Sequence, residues 1–162
     1  MNKSIFIVMG VSGTGKTTIG KLLSKAYNFP FFDGDDFHPK ANIEKMTSGR
    51  PLNDKDRAGW LQSLNNLSKK HLLSGAIIAC SALKEKYRDI LRDEIEEQMV
   101  FIYLKGTFED VKTRLENRKG HYMTSALLQS QFDALEEPKN AMEVSIELSP
   151  DEIIAAIQNQ LK

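Results

Sequence analysis

The sequence is short of several things, and each shortage narrows what the chain can be. It has a single cysteine, Cys80, among 162 residues. No disulfide can form within the chain, which suits a reducing cytosol, so a cytoplasmic location is expected. It has no excess of charge: 22 Lys and Arg stand against 22 Asp and Glu. That balance argues against bulk electrostatic binding to nucleic acid or to an anionic membrane. The apolar run Ile5 to Met9 is too short to cross a bilayer. It has the length of a signal-peptide core, but glycines and Lys16 follow it with no small-residue cleavage pattern. No low-complexity tract, repeat or linker stands out. What is left, 41% hydrophobic and 27% charged, is an ordinary balance for one globular domain.

Short apolar runs alternate with amphipathic stretches. The runs Ile5 to Met9, Phe29 to Phe32, Ala76 to Cys80, Met99 to Leu104 and Val144 to Leu148 read as strands. Ile19, Leu22, Leu23 and Ala26 recur at helical spacing, as do Trp60, Leu61, Leu64 and Leu67. Phe108, Val111 and Leu115 share another face; Ile153, Ile154, Ile157 and Leu161 share a last one, opened by Ser149 as N-cap and Pro150 at N1. The alternation predicts an α/β fold, a five-stranded parallel sheet with helices on both faces. Ligands then gather at the carboxyl ends of the strands. Two stretches fit the alternation poorly. Gly34 to about Asp56 is polar, and Arg118 to Pro138 runs from basic to acidic. They are read as a substrate-binding insertion, taken as 34–75, and a lid, 118–138.

Gly10, Val11, Ser12, Gly13, Thr14, Gly15, Lys16 and Thr17 fit G-x-x-x-x-G-K-[ST] in full, with a strand before and a helix after. Glycines allow a tight turn whose N–H groups point at phosphate oxygens, and the helix adds its positive end. Lys16 is expected to reach the β- and γ-phosphates of ATP, Thr17 to ligate Mg²⁺, and Thr18 to join the nucleotide set. Asp56-Arg57-Ala58-Gly59 and Asn53-Asp54-Lys55-Asp56 resemble GTPase signatures only by chance: the first follows polar residues and opens a helix, the second has its letters in the wrong order.

The run Phe31-Phe32-Asp33-Gly34-Asp35-Asp36 places carboxylates where the second strand ends. Strand alternation would aim Asp33 and Asp35 the same way. One could hold Mg²⁺ and the other accept the proton of an attacking hydroxyl. The bland alternative is an acidic, solvated turn with Gly34 supplying an unusual φ. His38, Lys40, Asn42, Lys45 and Arg50 then form a donor-rich cluster suited to a polyol with a carboxylate.

The combination of Met9 to Thr17, Asp33-Gly34-Asp35, His38-Pro39, Asn42-Ile43-Glu44-Lys45-Met46, Pro51-Leu52-Asn53-Asp54, Arg57, Trp60-Leu61, Cys80 to Lys84, Tyr87-Arg88, Phe101 to Gly106, Arg118-Lys119-Gly120-His121 and Gln131-Phe132 resembles the bacterial-type gluconokinase family. The resemblance runs from Met9 to about Pro138. It implies a shikimate-kinase-like fold, ATP and Mg²⁺ as cofactors, transfer of phosphate to D-gluconate, and commonly a homodimer. It also implies Asp35 as catalytic base and Asp33 near Mg²⁺. By the same resemblance His38, Asn42, Lys45, Lys84, Arg57 and Arg88 become gluconate candidates. Ser81, at the third strand's end, is placed near metal water or substrate. A solvated helix face beside Glu85 and Asp89 stays open as the competing reading of Lys84 and Arg88.

Arg114, Arg118, Lys119 and His121 put positive charge at and beyond one helix end, with Gly120 as a helix stop. The functional reading brings Arg118, the arginine nearest Gly120, onto the transferring phosphoryl group, with Arg114 also in the nucleotide set. The adenine is expected between the lid base and the turn around Leu148 to Pro150. Cys80 and Trp60 read as packing residues. Two rivals stay open. One is a kinase for another small molecule. The other is a nucleotide-binding module without catalysis, against which Lys16, Thr17, Asp33 and Asp35 argue.

Overall fold

The computed structural model describes residues 3–118 and 124–161. Strand β1, Ile5–Met9, is buried at every position because helices cover both of its faces. β2 is Phe31–Asp33, β3 Ala76–Ala79, β4 Met99–Lys105 and β5 Met142–Ser145. They form one sheet in the order β2-β3-β1-β4-β5 with every pair parallel. Parallel neighbours need crossovers, and helices supply them. In chain order these are α1, Lys16–Tyr27; α2, Lys40–Thr47; α3, Asp54–Lys70; α4, Glu85–Arg92; α5, Phe108–Glu116; α6, Ser125–Ala134; and α7, Pro150–Gln160. A 3₁₀ turn covers Gly34–Phe37.

Alternation along β1 divides the core. Ile5, Ile7 and Met9 pack with Trp60, Leu61 and Leu64 of α3 and with Tyr87 and Leu91 of α4. Phe6 and Val8 pack with Ile19 and Leu23 of α1, Val111 of α5 and Ile153 and Ile157 of α7. The helical stripes legible in the sequence are therefore the faces that meet the sheet. Ser149 caps α7 in a reciprocal box with Glu152, with Pro150 in the first turn, as expected.

Strand ends moved where local chemistry overrode apolarity. β2 starts at Phe31 because Asn28 turns left-handed (φ 56°) and the Phe29 N–H closes α1 onto Ser24. β5 starts two residues and ends three residues earlier than expected. It is an edge strand, and of its residues only Val144 is buried. Ile146 and Leu148 follow it in a turn closed by the Leu148 N–H on the Ser145 carbonyl. The letters that mimic a guanine motif are a capping box: the Asn53 side chain accepts the Asp56 N–H, and Asp56 accepts the Asn53 N–H.

Candidate active site

β1 delivers the phosphate loop. The Gly10 N–H donates to the Ser81 carbonyl at 3.2 Å, tying the loop to the end of β3. Gly13 and Gly15 hold φ of +83° and +93°, backbone that favours glycine. The Thr14 hydroxyl closes on the Val11 carbonyl at 2.9 Å. α1 begins without a side-chain cap, and Thr17 and Thr18 are exposed in its first turn. Uncapped first-turn amides with the positive dipole end suit an anion. The Lys16 ammonium donates to the Gly10 and Val11 carbonyls at 2.9 and 3.0 Å. Burial lowers its pKa to about 8, while Asp35 and Asp33 pull it up and Arg118 pushes it down. Both carboxylates and the arginine thus lie within electrostatic reach of Lys16.

β2 delivers the acids, though not by alternation. Asp33 ends the strand, and its Oδ1 accepts the Asp35 N–H at 3.0 Å, opening the 3₁₀ turn. The two carboxylates share a site because the chain turns. Gly34 is required for space and not for an unusual φ: a Cβ there would stand 2.6 Å from the Ala79 carbonyl oxygen. Partial loss of surrounding water and the Asp33 charge raise the Asp35 pKa, opposed by His38 and Lys16, even though the side chain remains 85% exposed.

The insertion is pinned to α3. His38 stacks on Trp60 at 4.3 Å and 18°, and the Trp60 indole N–H donates to the Gly34 carbonyl at 2.8 Å. Trp60 thereby packs as expected and also fixes the turn that carries Asp35. His38 Nε2 lies 4.0 Å from Asp35 Oδ1, and burial holds the imidazole pKa below its ordinary value. Buried Asn42 donates to the Asp56 carbonyl at 3.0 Å, and its Nδ2 sits 3.3 Å from His38 Nδ1.

Like Asn42, two more gluconate candidates are engaged by protein partners. Lys45 pairs with Asp56 Oδ2 at 2.6 Å. Arg88 is buried, 1% exposed, and donates to the Ala82 and Glu136 carbonyls, both at 2.7 Å, and to Glu85 at 2.9 Å. It braces the turn at Ala82, a non-glycine residue with φ of 46°. It is therefore not a solvated helix face, and its donors are taken by protein acceptors. Lys84 remains partly exposed, 3.6 Å from Asp54 Oδ1. Arg57 and Lys84 each stand 5.7 Å from the Tyr87 ring centroid, and the Tyr87 hydroxyl donates to Asp54 at 2.5 Å. Lys86 also pairs with Asp54, and these two contacts hold the Asp54 carboxyl well below the usual range. Ser81 and buried Cys80 close the floor at the end of β3; burial pushes the thiol up to about 12, an inert core residue.

α5 ends at Glu116 with Asn117 as C-cap, so Arg118 lies just past the helix and is exposed. Lys119, Gly120 and His121 of the basic cluster lie outside the described residues. Arg114 bonds the Ile146 carbonyl, tying α5 to the segment before Leu148. Gln131, Tyr87 and Asp54 carry site contacts that the sequence reading assigned to no role. All three stand in the stretches that carry the family resemblance, but nothing in their spacing told which would touch the site.

The chain matches the shikimate kinase family model over residues 12–160. It is 46% identical to the thermoresistant gluconokinase of Escherichia coli K12 over 83% of this chain and 77% of that protein. It is 43% identical to a probable gluconokinase of Schizosaccharomyces pombe over 90% of this chain and 81% of the relative. A gluconokinase structure from Sinorhizobium meliloti 1021 superposes with a TM-score of 0.84 at 37% identity, covering 94% of this chain and 88% of the other. A shikimate kinase from Aquifex aeolicus, at 18% identity and a TM-score of 0.63 over 96% and 94% of the two chains, shares the fold. The chain belongs to the gluconokinases, within the shikimate kinase family of P-loop kinases.

Proposed function

We propose that this protein phosphorylates D-gluconate to 6-phosphogluconate with ATP by direct in-line transfer, in the cytoplasm, as a homodimer. The observation that carries the reading is the convergence of Lys16 with Asp33 and Asp35 at the carboxyl ends of β1 and β2. The loop amides and the ammonium of Lys16 bind the phosphates, and Arg118 adds charge beside Lys16. Asp35 accepts the proton of the attacking hydroxyl; its raised pKa makes it a better base than an ordinary carboxylate. His38, Arg57, Ser81 and Lys84 bind gluconate, with Asn42, Lys45 and Arg88 positioning the elements that carry them. Residues 34–75 then act as the substrate-binding insertion and 118–138 as the lid.

Among the described residues no three His, Cys, Asp or Glu side chains come together as a metal cage. Mg²⁺ does not need one: one or two protein ligands suffice beside water and phosphate oxygens. The exposed Thr17 hydroxyl and the Asp33 carboxylate, fixed by the Asp35 N–H, fit that role. When bound, the ion neutralises charge on the phosphates. Among the described residues no helix is long and apolar enough to cross a membrane. A coupled assay of ADP release across sugar acids, shikimate and nucleosides tests the reading. The highest kcat/KM is expected with gluconate; a better substrate of another class overturns it.

A further inference from the structure

We propose that Gln131 is a positioning residue of the phosphate loop, holding Ser12 from helix α6 and so setting the affinity for nucleotide. This inference rests on the reading of the loop as the nucleotide site. Gln131 and Ser12 are 119 residues apart in sequence, yet both ends of the amide meet the same residue. Gln131 Oε1 accepts the Ser12 N–H at 2.8 Å, and Nε2 donates to the Ser12 hydroxyl at 3.0 Å. A backbone N–H can only donate, so it fixes which way the amide faces. The second bond then adds to the first without a flip.

The loop needs such a tie. Its turns run through glycines at positive φ, the conformations that cost most entropy to hold. Its other bonds at this crest are local: Thr14 and Lys16 fold back onto carbonyls of Gly10 and Val11. The Gly10 N–H anchors the loop's base to Ser81, and Gln131 anchors its crest. The arm, part of the stretch proposed as the lid, is docked on the core in this structure. Leu128 of α6 is buried in the core, and Phe132 packs edge-on against Phe108 of α5 at 5.8 Å. Past the helix, the Glu136 N–H donates to the Leu83 carbonyl at 2.7 Å, and Glu136 Oε1 accepts the Glu85 N–H at 2.8 Å. One element therefore grips both the phosphate loop and the turn beside Lys84. Because the Ser12 N–H is already taken by Gln131, α6 orders the loop without using the amides of the α1 first turn.

The test is calorimetric titration of ADP and a non-hydrolysable ATP analogue into the full chain, with steady-state kinetics and urea unfolding alongside. Gln131→Met is expected to weaken both nucleotides about tenfold, the loss of roughly one to two neutral hydrogen bonds. KM for ATP should rise with it, while KM for gluconate and the unfolding midpoint stay near wild type. Ser12→Ala removes only the bond to the hydroxyl and should weaken nucleotide less. The double variant should be no weaker than Gln131→Met by the full Ser12→Ala effect, because the two side chains act through one contact. Nucleotide binding unchanged in Gln131→Met overturns the inference alone. So does a lowered unfolding midpoint with KM raised equally for both substrates, which marks α6 as mere glue. If Gln131→Met does not fold, unchanged binding in Ser12→Ala overturns it. A wild-type protein that binds no nucleotide overturns this inference and the proposed function together.

Discussion

Lys16 shows how much a single side chain's surroundings decide. Its ammonium is held by two carbonyls and has a pKa lowered to about 8, chiefly by burial. In the free enzyme the charge needed by the phosphates is present below that value and lost as pH rises through it. Because kcat/KM reports the free enzyme, kcat/KM for MgATP should fall above a pH of about 8. At saturating MgATP the phosphates hold the proton on, and kcat should persist to higher pH. As the proposed base, Asp35 should set the opposite limb. Its pKa is raised, by partial desolvation first and by Asp33 next. A base must be ionised, so activity climbs as pH rises through that raised value. Asp35→Asn should abolish the acid limb and lower kcat by about 10²–10⁴-fold with nucleotide binding kept. Initial rates from pH 5 to 10 check both limbs; a kcat/KM for MgATP that stays flat from neutrality into the alkaline range would remove Lys16 from its role.

At the level of elements, strong periodicity was easy to read and weak periodicity was not. α3, α5 and α7 bury clear apolar stripes, and their faces were legible in the chain. α2 and α6 were not. α2 buries only Asn42 while exposing Ile43 and Met46, and α6 buries only Leu128, so neither writes a stripe into the sequence. The phosphate loop was legible because its motif is local. The contacts of Arg88 and Gln131 were not, since each depends on partners far along the chain: Glu136 lies 48 residues from Arg88. Arg88 carries a prediction of its own. Arg88→Met leaves the buried Ala82 carbonyl and the part-buried Glu136 carbonyl without their donor. Stability should fall by about 2–4 kcal/mol. Lysine should not restore it, because a single ammonium cannot reproduce the planar fork. Urea midpoints give the answer. An Arg88→Met protein with unchanged stability and a raised KM for gluconate would return Arg88 to the substrate site.

For the molecule as a whole, the sheet order explains why one site serves two ligands. β1 sits at the centre with β3 on one side and β4 on the other. Its loop is the proposed donor site, and the ends of β2 and β3, two places and one place along, carry Asp33, Asp35, Ser81 and the turn to Lys84. The crevice at such a switch in strand order is where open parallel sheets bind ligands. Donor and acceptor residues come from segments that hold their positions only in the folded chain, so both ligands should bind the native state and not the unfolded one. Each then stabilises by mass action, by about 2.7 kcal/mol at a hundredfold excess over its Kd. For a chain of this size that is a rise in Tm on the order of 5–10 °C per ligand. MgADP and gluconate, added singly, should each raise Tm, and together should raise it further. Shikimate at equal concentration should not, because the acceptor contacts built from His38, Arg57 and Lys84 are proposed to fit a linear polyol acid. A thermal scan in which gluconate gives no shift and shikimate does would leave the fold and the phosphate loop standing and move the acceptor site to another substrate.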